Sequence, residues 1–291
     1  MVAAEAGGVV SLGLSRVGWI VELVTSGRPV GDPSEVASAG NSHVSVEGNG
    51  GLGYLAVEKA LALALPKAHR HGVAIASARN IFLTGVLRVY ANRLADEGLA
   101  SFITSSAAPA ILVAPGGTRP VLGTNPIAIG VPDKSNEHLV FDTSSTQISY
   151  SELRAIAALG QFLPTGVAVD AHGSETTDAQ QALDGGLLPW GGHRGYGMAV
   201  AVAALGMLVG APPTPADLSS CGFVAVMFDP QIVGSGLADI SELRRALDHS
   251  MVPGTPVRLP GAHWRQSQIT ARQHGLTISD ELYSSLRELP R

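Results

Sequence analysis

Two strand–helix units follow one another in the first third of the chain. His43–Glu47 (HVSVE) is typical of a strand, and a turn and an Ala/Leu-rich helix over residues 54–70 follow it. Residues 72–77 (GVAIAS) then indicate a buried strand before a second helix over residues 84–97. Strands that alternate with helices are the pattern of an α/β fold. The sequence therefore predicts an α/β protein.

The rest of the chain is less regular. Gly/Pro turns separate short apolar segments typical of strands, at residues 110–114, 126–131, 138–141 and 223–228. Helical spacing predicts further helices at residues 17–25, 151–159, 198–209, 237–248 and 279–289. Because neither a repeat nor a low-complexity linker interrupts the chain, we expect a single unit over residues 1–291.

Composition limits the class of protein. Apolar residues make up 45% of the chain and charged residues only 15%, against about 25% charged residues in an average soluble protein. This composition excludes a disordered chain, which needs low hydrophobicity and high net charge. Because so few charges are present to cover the exterior, we expect part of the surface to be hidden in a homo-oligomer.

Charge and cysteine content narrow the partners and the compartment. The net charge of −5 and the scattered basic residues argue against nucleic acid as a partner. Cys221 is the single cysteine, so no intrachain disulfide is expected and the cytoplasm is the default compartment. Residues 1–10 lack the pattern of a signal peptide. The apolar stretch at residues 198–211 is shorter than the roughly 20 residues that span a bilayer, which predicts a buried helix.

Residues 48–53 (GNGGLG) match the G-x-G-x-x-G pattern between a strand and a helix. A dinucleotide fingerprint of this type also needs an acidic residue about 20 positions later. The chain has no Asp or Glu between Glu58 and Asp96. The pattern therefore favours a structural turn, which lets the strand cross closely onto the helix.

Three further segments are candidates for binding an anion or a cofactor. Residues 123–126 (GTNP) and 191–197 (GGHRGYG) combine backbone N–H groups with polar or charged side chains. Residues 142–146 (DTSST) follow an apolar strand, where they could bind a ligand or cap a helix. Each has a structural alternative, as a turn, an exposed helix entry or an N-cap. His69 and His71 lack a third metal ligand, so we expect no metal site.

The order of the motifs supplies a stronger indication. The chain carries LSR, VEGNGGLG, HGVAI, PVLGTNPIAIGVP, VFD, a long block from LPTGVAVDAHGSETTDA to LLPWGGHRGYGMAV, and VRLPG. In this order they resemble the malate/L-lactate dehydrogenase-like family of NAD(P)-dependent oxidoreductases. That family includes ureidoglycolate and sulfolactate dehydrogenases and the piperideine/pyrroline-2-carboxylate reductases. The resemblance implies a three-layer α/β fold around a mixed sheet, a fold that binds the dinucleotide without a Rossmann domain.

The same resemblance implies a homodimer that uses NADPH or NADH on a small carboxylate substrate. It divides the unit into a helical substrate lobe (residues 1–75 and 210–291) and a cofactor-binding lobe (residues 76–209). Cofactor contacts are expected from Thr84, Gly85, Gly123, Thr124, Asn125, Pro126, Asp142, Thr143, Ser144, His193, Arg194 and Gly261. Arg194 stands where the family usually has Lys, so the charge is retained with a different geometry.

Two departures from the family pattern bear on the chemistry. The family's Ser-His-Gly motif, followed by an Arg that binds the substrate carboxylate, aligns with Ser11, Leu12, Gly13 and Arg16. Its Asn-His-Phe-Gly motif aligns with residues 82–85, which places Leu83 at the second histidine. Leucine cannot donate the proton that a ketone needs as hydride arrives. A protonated imine needs no acid in that step.

The leading hypothesis is therefore an NAD(P)H-dependent reductase of a small imine carboxylate. Arg16 would bind the carboxylate, with Leu12, Leu83 and Thr124 at the substrate and Ser11, Tyr150 and Glu152 as polar groups for catalysis. One alternative is a 2-oxoacid/2-hydroxyacid dehydrogenase with a replacement proton donor. Another is a degenerate homologue that binds nucleotide without catalysis.

Overall fold

The computed structural model describes residues 1–27, 34–215, 217–252, 255 and 257–289. The helices are α1 Val2–Ala6, α2 Arg16–Thr25, α3 Gly53–His71, α4 Leu87–Asp96, α5 Tyr150–Ala158, α6 Ala179–Asp184, α7 His193–Leu208, α8 Pro230–Val233, α9 Ile240–Ser250, α10 Ala262–His274 and α11 Asp280–Arg287, with a 3-10 turn at Val10–Leu12. The strands are β1 Glu35–Ala39, β2 His43–Glu47, β3 Val73–Ile81, β4 Ala100–Ser106, β5 Leu112–Val113, β6 Pro120–Leu122, β7 Ile127–Val131, β8 Leu139–Thr143, β9 Ala168–Val169, β10 Gly186–Leu187 and β11 Cys221–Phe228.

A seven-stranded mixed sheet forms the centre, with strand order β1-β2-β3-β11-β4-β7-β8. Strands β2 and β3 are parallel, as expected when a crossover helix such as α3 connects them, and the other neighbours are antiparallel. The prediction of an α/β protein with a mixed sheet is confirmed. This sheet takes strands from both expected lobes. The prediction of a single unit and the prediction of its division into two lobes both stay predictions.

Helices α3 and α4 cover one face of this sheet. Small residues recur along α3 at helical spacing, and Ala56, Ala60, Ala64 and Ala68 are almost fully buried. Because alanine side chains are short, the α3 backbone packs close to the sheet. Ile103, Phe223 and Met227 on the sheet face them, and α4 adds Leu87 and Leu94 to the same core.

The opposite face is covered only in part. Helix α7 packs over one end of β4 and β11, where a Cβ atom on Gly206 would meet the Ser106 hydroxyl. Its outer side carries Val200, Met207 and Leu208, which are exposed. The prediction of a buried helix is therefore wrong for that side. Helix α7 carries apolar residues on all of its sides, but only one side contacts the sheet.

Beyond α7, an apolar row crosses five strands of this face. Neighbouring strands pair Ile75 with Val226, Val226 with Phe102, Phe102 with Ile129 and Ile129 with Phe141. Ile75, Phe102 and Phe141 are each about 40% exposed, with 42%, 40% and 39% of their surface accessible. An exposed apolar surface of this kind is typical of an interface with another chain.

A smaller sheet with strand order β6-β5-β10-β9 lies with α5 and α6 around a second core. This core contains Ile111, Leu153, Leu163 and Leu187. Strand β10 of this sheet precedes the turn that leads into α7. Among the helices that the structure describes, none is long and apolar enough to cross a bilayer.

Candidate active site

One cavity of about 710 Å³ gathers most of the predicted site residues. It lies between the segment before α2, the loop that joins β3 to α4, the turns beside β7 and β8, and the start of α5. The predicted residues that line it are Ser11, Leu12, Arg16, Leu83, Thr84, Gly85, Thr124, Pro126, Asp142, Thr143, Ser144 and Tyr150. Segments far apart in the sequence therefore converge on one cavity.

Six predicted residues do not line the cavity: Glu152, Gly123, Asn125, His193, Arg194 and Gly261. Glu152 is exposed on α5, and His193 and Arg194 are exposed at the start of α7. Gly261 lies beside the backbone of Val140, and Gly123 packs so closely on Ala107 that a Cβ atom would overlap its carbonyl. Their roles toward the cofactor stay predictions.

Asn125 has a structural role that its motif did not reveal. Its amide Oδ1 accepts from the backbone N–H of Ala107 (3.0 Å) and its Nδ2 donates to the carbonyl of Ala199 (2.8 Å). The residue is 2% exposed and has a φ of +38°. Asparagine tolerates this left-handed region better than most residues. The amide thus joins the turn before β7 to α7.

A buried carboxylate holds the segment that carries Ser11 and Arg16. Glu5 on α1 is 7% exposed, and its Oε2 accepts from the backbone N–H of Leu14 at 2.8 Å. Arg16 donates from Nε to the carbonyl of Ser11 (3.1 Å), which closes the turn before α2. Sequence reasoning missed Glu5, because a single Glu in a short N-terminal helix carries no local signal of this contact.

Leu83 reaches the cavity through an unusual backbone. Its φ is +56°, a left-handed conformation that costs a bulky side chain about 1–2 kcal/mol. The loop is fixed from behind, because the N–H of Gly53 donates to the carbonyl of Phe82 (2.7 Å) and a Cβ atom on Gly53 would overlap the Leu83 carbonyl. Residues 48–53 do not line the cavity. They act as the close structural turn that the sequence favoured.

The DTSST segment supports the cavity and does not cap the following helix. Ser149 caps α5, since its Oγ accepts from the N–H of Glu152. Ser144 donates from Oγ to the carbonyl of Thr146 (2.9 Å), and the indole N–H of Trp190 donates to the Ser144 carbonyl (2.8 Å). The segment therefore does not cap α5, although Asp142 accepts from the backbone N–H of Arg88 in the first turn of α4 (3.0 Å). Asp142, Thr143 and Ser144 line the cavity.

Among the described residues, the charged side chains that line the cavity are three arginines and one aspartate. They are Arg16, Arg88, Arg154 and Asp142. Burial raises the pKa of Asp142, against the opposing effects of the Arg88 guanidinium and of a hydrogen bond from the Arg88 backbone N–H (3.0 Å). Sequence reasoning missed Arg88 and Arg154, which occupy ordinary helical positions. The excess of positive charge suits an anionic ligand.

Hydroxyl groups and a thiol complete the lining. Thr84 donates from Oγ1 to Ser105 Oγ (3.2 Å), which in turn donates to the carbonyl of Gly222 (3.1 Å). Burial raises the pKa of Cys221 to about 11, so its thiol stays protonated at neutral pH. Within the described ranges no group of three His, Cys, Asp or Glu side chains could hold a metal ion.

These features fit a phosphate-bearing cofactor together with a small anion. A volume of about 710 Å³ falls within the roughly 300–1,000 Å³ usual for such sites. Arg88 has a buried Nε without a hydrogen-bond partner, and it packs against Trp264 at 5.8 Å. The hydroxyls of Thr84, Thr124 and Ser144 add hydrogen-bonding groups along the wall.

Known proteins match the chain over nearly its whole length. The family model for malate/L-lactate dehydrogenase matches residues 1–287. A malate/(S)-sulfolactate dehydrogenase of Methanothermus fervidus is 30% identical, over 99% of this chain and 88% of the relative. A Delta(1)-pyrroline-2-carboxylate/Delta(1)-piperideine-2-carboxylate reductase of Pseudomonas putida is 28% identical over 99% and 87%. The solved delta1-piperideine-2-carboxylate reductase from Pseudomonas syringae pvar. tomato superimposes with a TM-score of 0.88 at 28% identity, covering 99% of this chain and 90% of that chain.

Proposed function

The chain belongs to the malate/L-lactate dehydrogenase family, and from that premise we propose that it is an NAD(P)H-dependent oxidoreductase that reduces the C=N bond of a small imine carboxylate. One observation carries the proposal. Leu12 and Leu83, which align with the two histidines of the family pattern, both line the cavity. The residues that would donate a proton to a ketone are thus replaced by apolar surface at the site itself.

The chemistry of the two substrate classes explains why this matters. Reduction of a ketone leaves an alkoxide, which must be protonated as hydride arrives, and a positioned acid contributes about 10²- to 10⁴-fold to that step. An imine binds with its nitrogen already protonated, and hydride addition to the iminium carbon gives a neutral amine. Imine reduction needs no proton from positions 12 and 83, whereas ketone reduction with leucine at both positions needs a proton donor elsewhere in the cavity.

Other cavity residues then have definable roles. When bound, NAD(P)H supplies the hydride, and Thr84, Gly85, Thr124, Pro126 and residues 142–144 are the groups that would hold it. The partly buried guanidinium of Arg16 binds the substrate carboxylate, which orients the C=N carbon. The Tyr150 and Ser11 hydroxyls donate hydrogen bonds to the substrate. Leu12 and Leu83 exclude water from the reacting bond.

A second candidate is reduction of a 2-oxo acid with a replacement donor. It is favoured by the Tyr150 hydroxyl and by Asp142, whose raised pKa keeps a larger fraction of the carboxyl protonated than usual. Either group could give a proton to an alkoxide. Glu152, the third polar candidate, lies outside the cavity lining.

Parallel assays decide between these functions. Purified protein is given NADPH or NADH with a cyclic imine carboxylate and, separately, with the open-chain 2-oxo acid of the same carbon number. We expect a higher kcat/KM for the imine, and we expect Arg16→Gln to raise KM for it while Arg287→Gln, outside the cavity, leaves it unchanged. Faster turnover of the 2-oxo acid would overturn the proposal. Nucleotide binding by fluorescence without turnover of either substrate would indicate the non-catalytic homologue.

We further propose a cytoplasmic homodimer. The apolar row from Ile75 through Phe102 to Phe141 is exposed in the single chain, and covering it with a second copy would remove that surface from water. Sedimentation or light scattering measures the assembly. Phe102→Glu should produce monomers, whereas a monomeric parent protein would contradict the dimer.

A further inference from the structure

Two arginine side chains pack against the indole ring of Trp19. The Cζ atom of Arg16 lies 5.9 Å from the ring centroid and that of Arg154 lies 5.8 Å from it. The ring itself is fixed edge-on against the buried Phe82, with 5.5 Å between centroids. Trp19 thereby holds a guanidinium from α2 and one from α5 close together in the same cavity.

Among the described residues, no protein carboxylate pairs with either of these two positive charges. Arg16 uses its Nε on the Ser11 carbonyl. Burial lowers the pKa of Arg16 and the charge of Arg154 lowers it too, while Tyr54 opposes both effects. An anionic ligand would relieve this repulsion.

Arg16 and Arg154 occupy different parts of the cavity, and this difference assigns them different roles. Arg16 is partly buried, next to Ser11 and Leu12, where the proposed reaction places the carboxylate beside the reacting carbon. Arg154 is exposed, one helical turn after Tyr150, at the edge of the cavity. A substrate with one carboxylate would neutralise Arg16 and leave Arg154 unused.

We propose that Arg154 is a second anion-binding residue of this site and that the substrate carries two carboxylates, one at Arg16 and one at its far end at Arg154. This inference rests on the proposed function for the identity of the site, but not on the bond that is reduced. Arg154 is then the residue that selects dianionic over monoanionic substrates.

The test uses ligands that cannot react, so that it is independent of turnover. Calorimetry measures the binding of succinate and of butanoate, which have the same chain length but two and one carboxylates, to the full chain in the presence of NADPH. We expect succinate to bind about tenfold more tightly, as for one additional charge-assisted contact. Arg154→Gln should abolish that preference, Arg154→Lys should retain part of it, and Arg16→Gln should weaken both ligands.

Arg287→Gln is the matched control, because Arg287 also stacks on an aromatic ring, that of Tyr283 at 5.8 Å, but lies outside the cavity. Equal binding of succinate and butanoate to the parent protein would overturn the proposal. So would an Arg154→Gln variant that keeps the preference, or one that weakens only NADPH binding, which would assign Arg154 to the cofactor. A preference for succinate without any imine reduction would instead leave Arg154 assigned and refute the proposed function.

Discussion

The carbonyl of Leu83 occupies the space that a side chain on Gly53 would need. Gly53 begins α3, and Leu83 lies in the loop that follows β3, so this contact joins the central sheet to the cavity wall. The backbone at Leu83 is left-handed, with a φ of +56°. The absence of a side chain at residue 53 is therefore a condition for the conformation at residue 83.

Gly53→Ala is expected to destabilise the protein, because the added Cβ atom must displace the Leu83 backbone. Overpacking of this kind costs about 1–3 kcal/mol. Denaturant unfolding measures the loss, and KM for the substrate should rise as the loop shifts. Gly18→Ala in α2 is the control, because a Cβ atom there meets nothing within 4 Å. Alanine stabilises a helix interior by about 0.5–1 kcal/mol relative to glycine, so this variant should not lose stability. Equal stability of Gly53→Ala and the parent protein would contradict this account.

Glu5→Ala is expected to weaken substrate binding from a distance. The Glu5 carboxylate accepts from the N–H of Leu14, and its removal leaves that group without its partner between Ser11 and Arg16. Losing a hydrogen bond to a charged group costs about 1.5–3 kcal/mol. Unfolding measurements should show a loss of this size together with a higher substrate KM. Glu22→Ala, which removes an exposed carboxylate from α2, should change neither quantity. If both variants behave alike, Glu5 does not position the segment.

Histidine at positions 12 and 83 should restore acid catalysis. Histidine is among the residues that tolerate positive φ, so Leu83→His suits the backbone there. We expect kcat for a 2-oxo acid to rise by about 10²- to 10⁴-fold in one of the two single variants or in the double variant. Leu12→Gln and Leu83→Gln are the controls, since they add polarity without a titratable acid. Equal gains from glutamine and histidine would rule out proton donation as the cause.

Asp142 should make stability fall as pH rises. Burial raises its pKa in the folded state, so the folded protein holds the proton more tightly than the unfolded chain does. The stability gained from this proton is fully present below the unfolded pKa of about 3.9. It is lost as pH rises through the higher folded pKa. The Asp142→Asn variant keeps an acceptor for the Arg88 N–H and should lack this contribution. Unfolding measured from pH 4 upward should show the parent losing stability relative to the variant, and parallel pH profiles would exclude the effect.

Local periodicity predicted much of the fold. The strands His43–Glu47 and Cys221–Phe228 and the helix Gly53–His71 lie within a few residues of their expected positions. Strand β4 was missed, because Ala100–Ser106 (ASFITSS) carries four hydroxyl side chains that resemble a loop although they are buried in the sheet. Sequence alone could not show that these hydroxyls find partners such as the Gly222 carbonyl, contributed by a strand more than a hundred residues away.

The candidate site was predictable where a motif marked it and not elsewhere. Ser11, Arg16 and Asp142 belong to recognisable segments and line the cavity. Arg154 and Trp19 occupy unremarkable positions on amphipathic helices, and only the approach of α2 to α5 brings them together. Contacts between such distant segments have no signature in either local sequence.

The amide of Asn125 ties together the turn before β7, the loop at Ala107 and helix α7. Because both ends of this side chain are bonded and buried, that wall of the cavity shares the rigidity of the central sheet. Residues 11–16 and α5 also line the cavity but lie outside the seven-stranded sheet. We therefore expect the motions that admit and release a ligand to be larger in residues 11–16 and α5 than on the sheet side of the cavity.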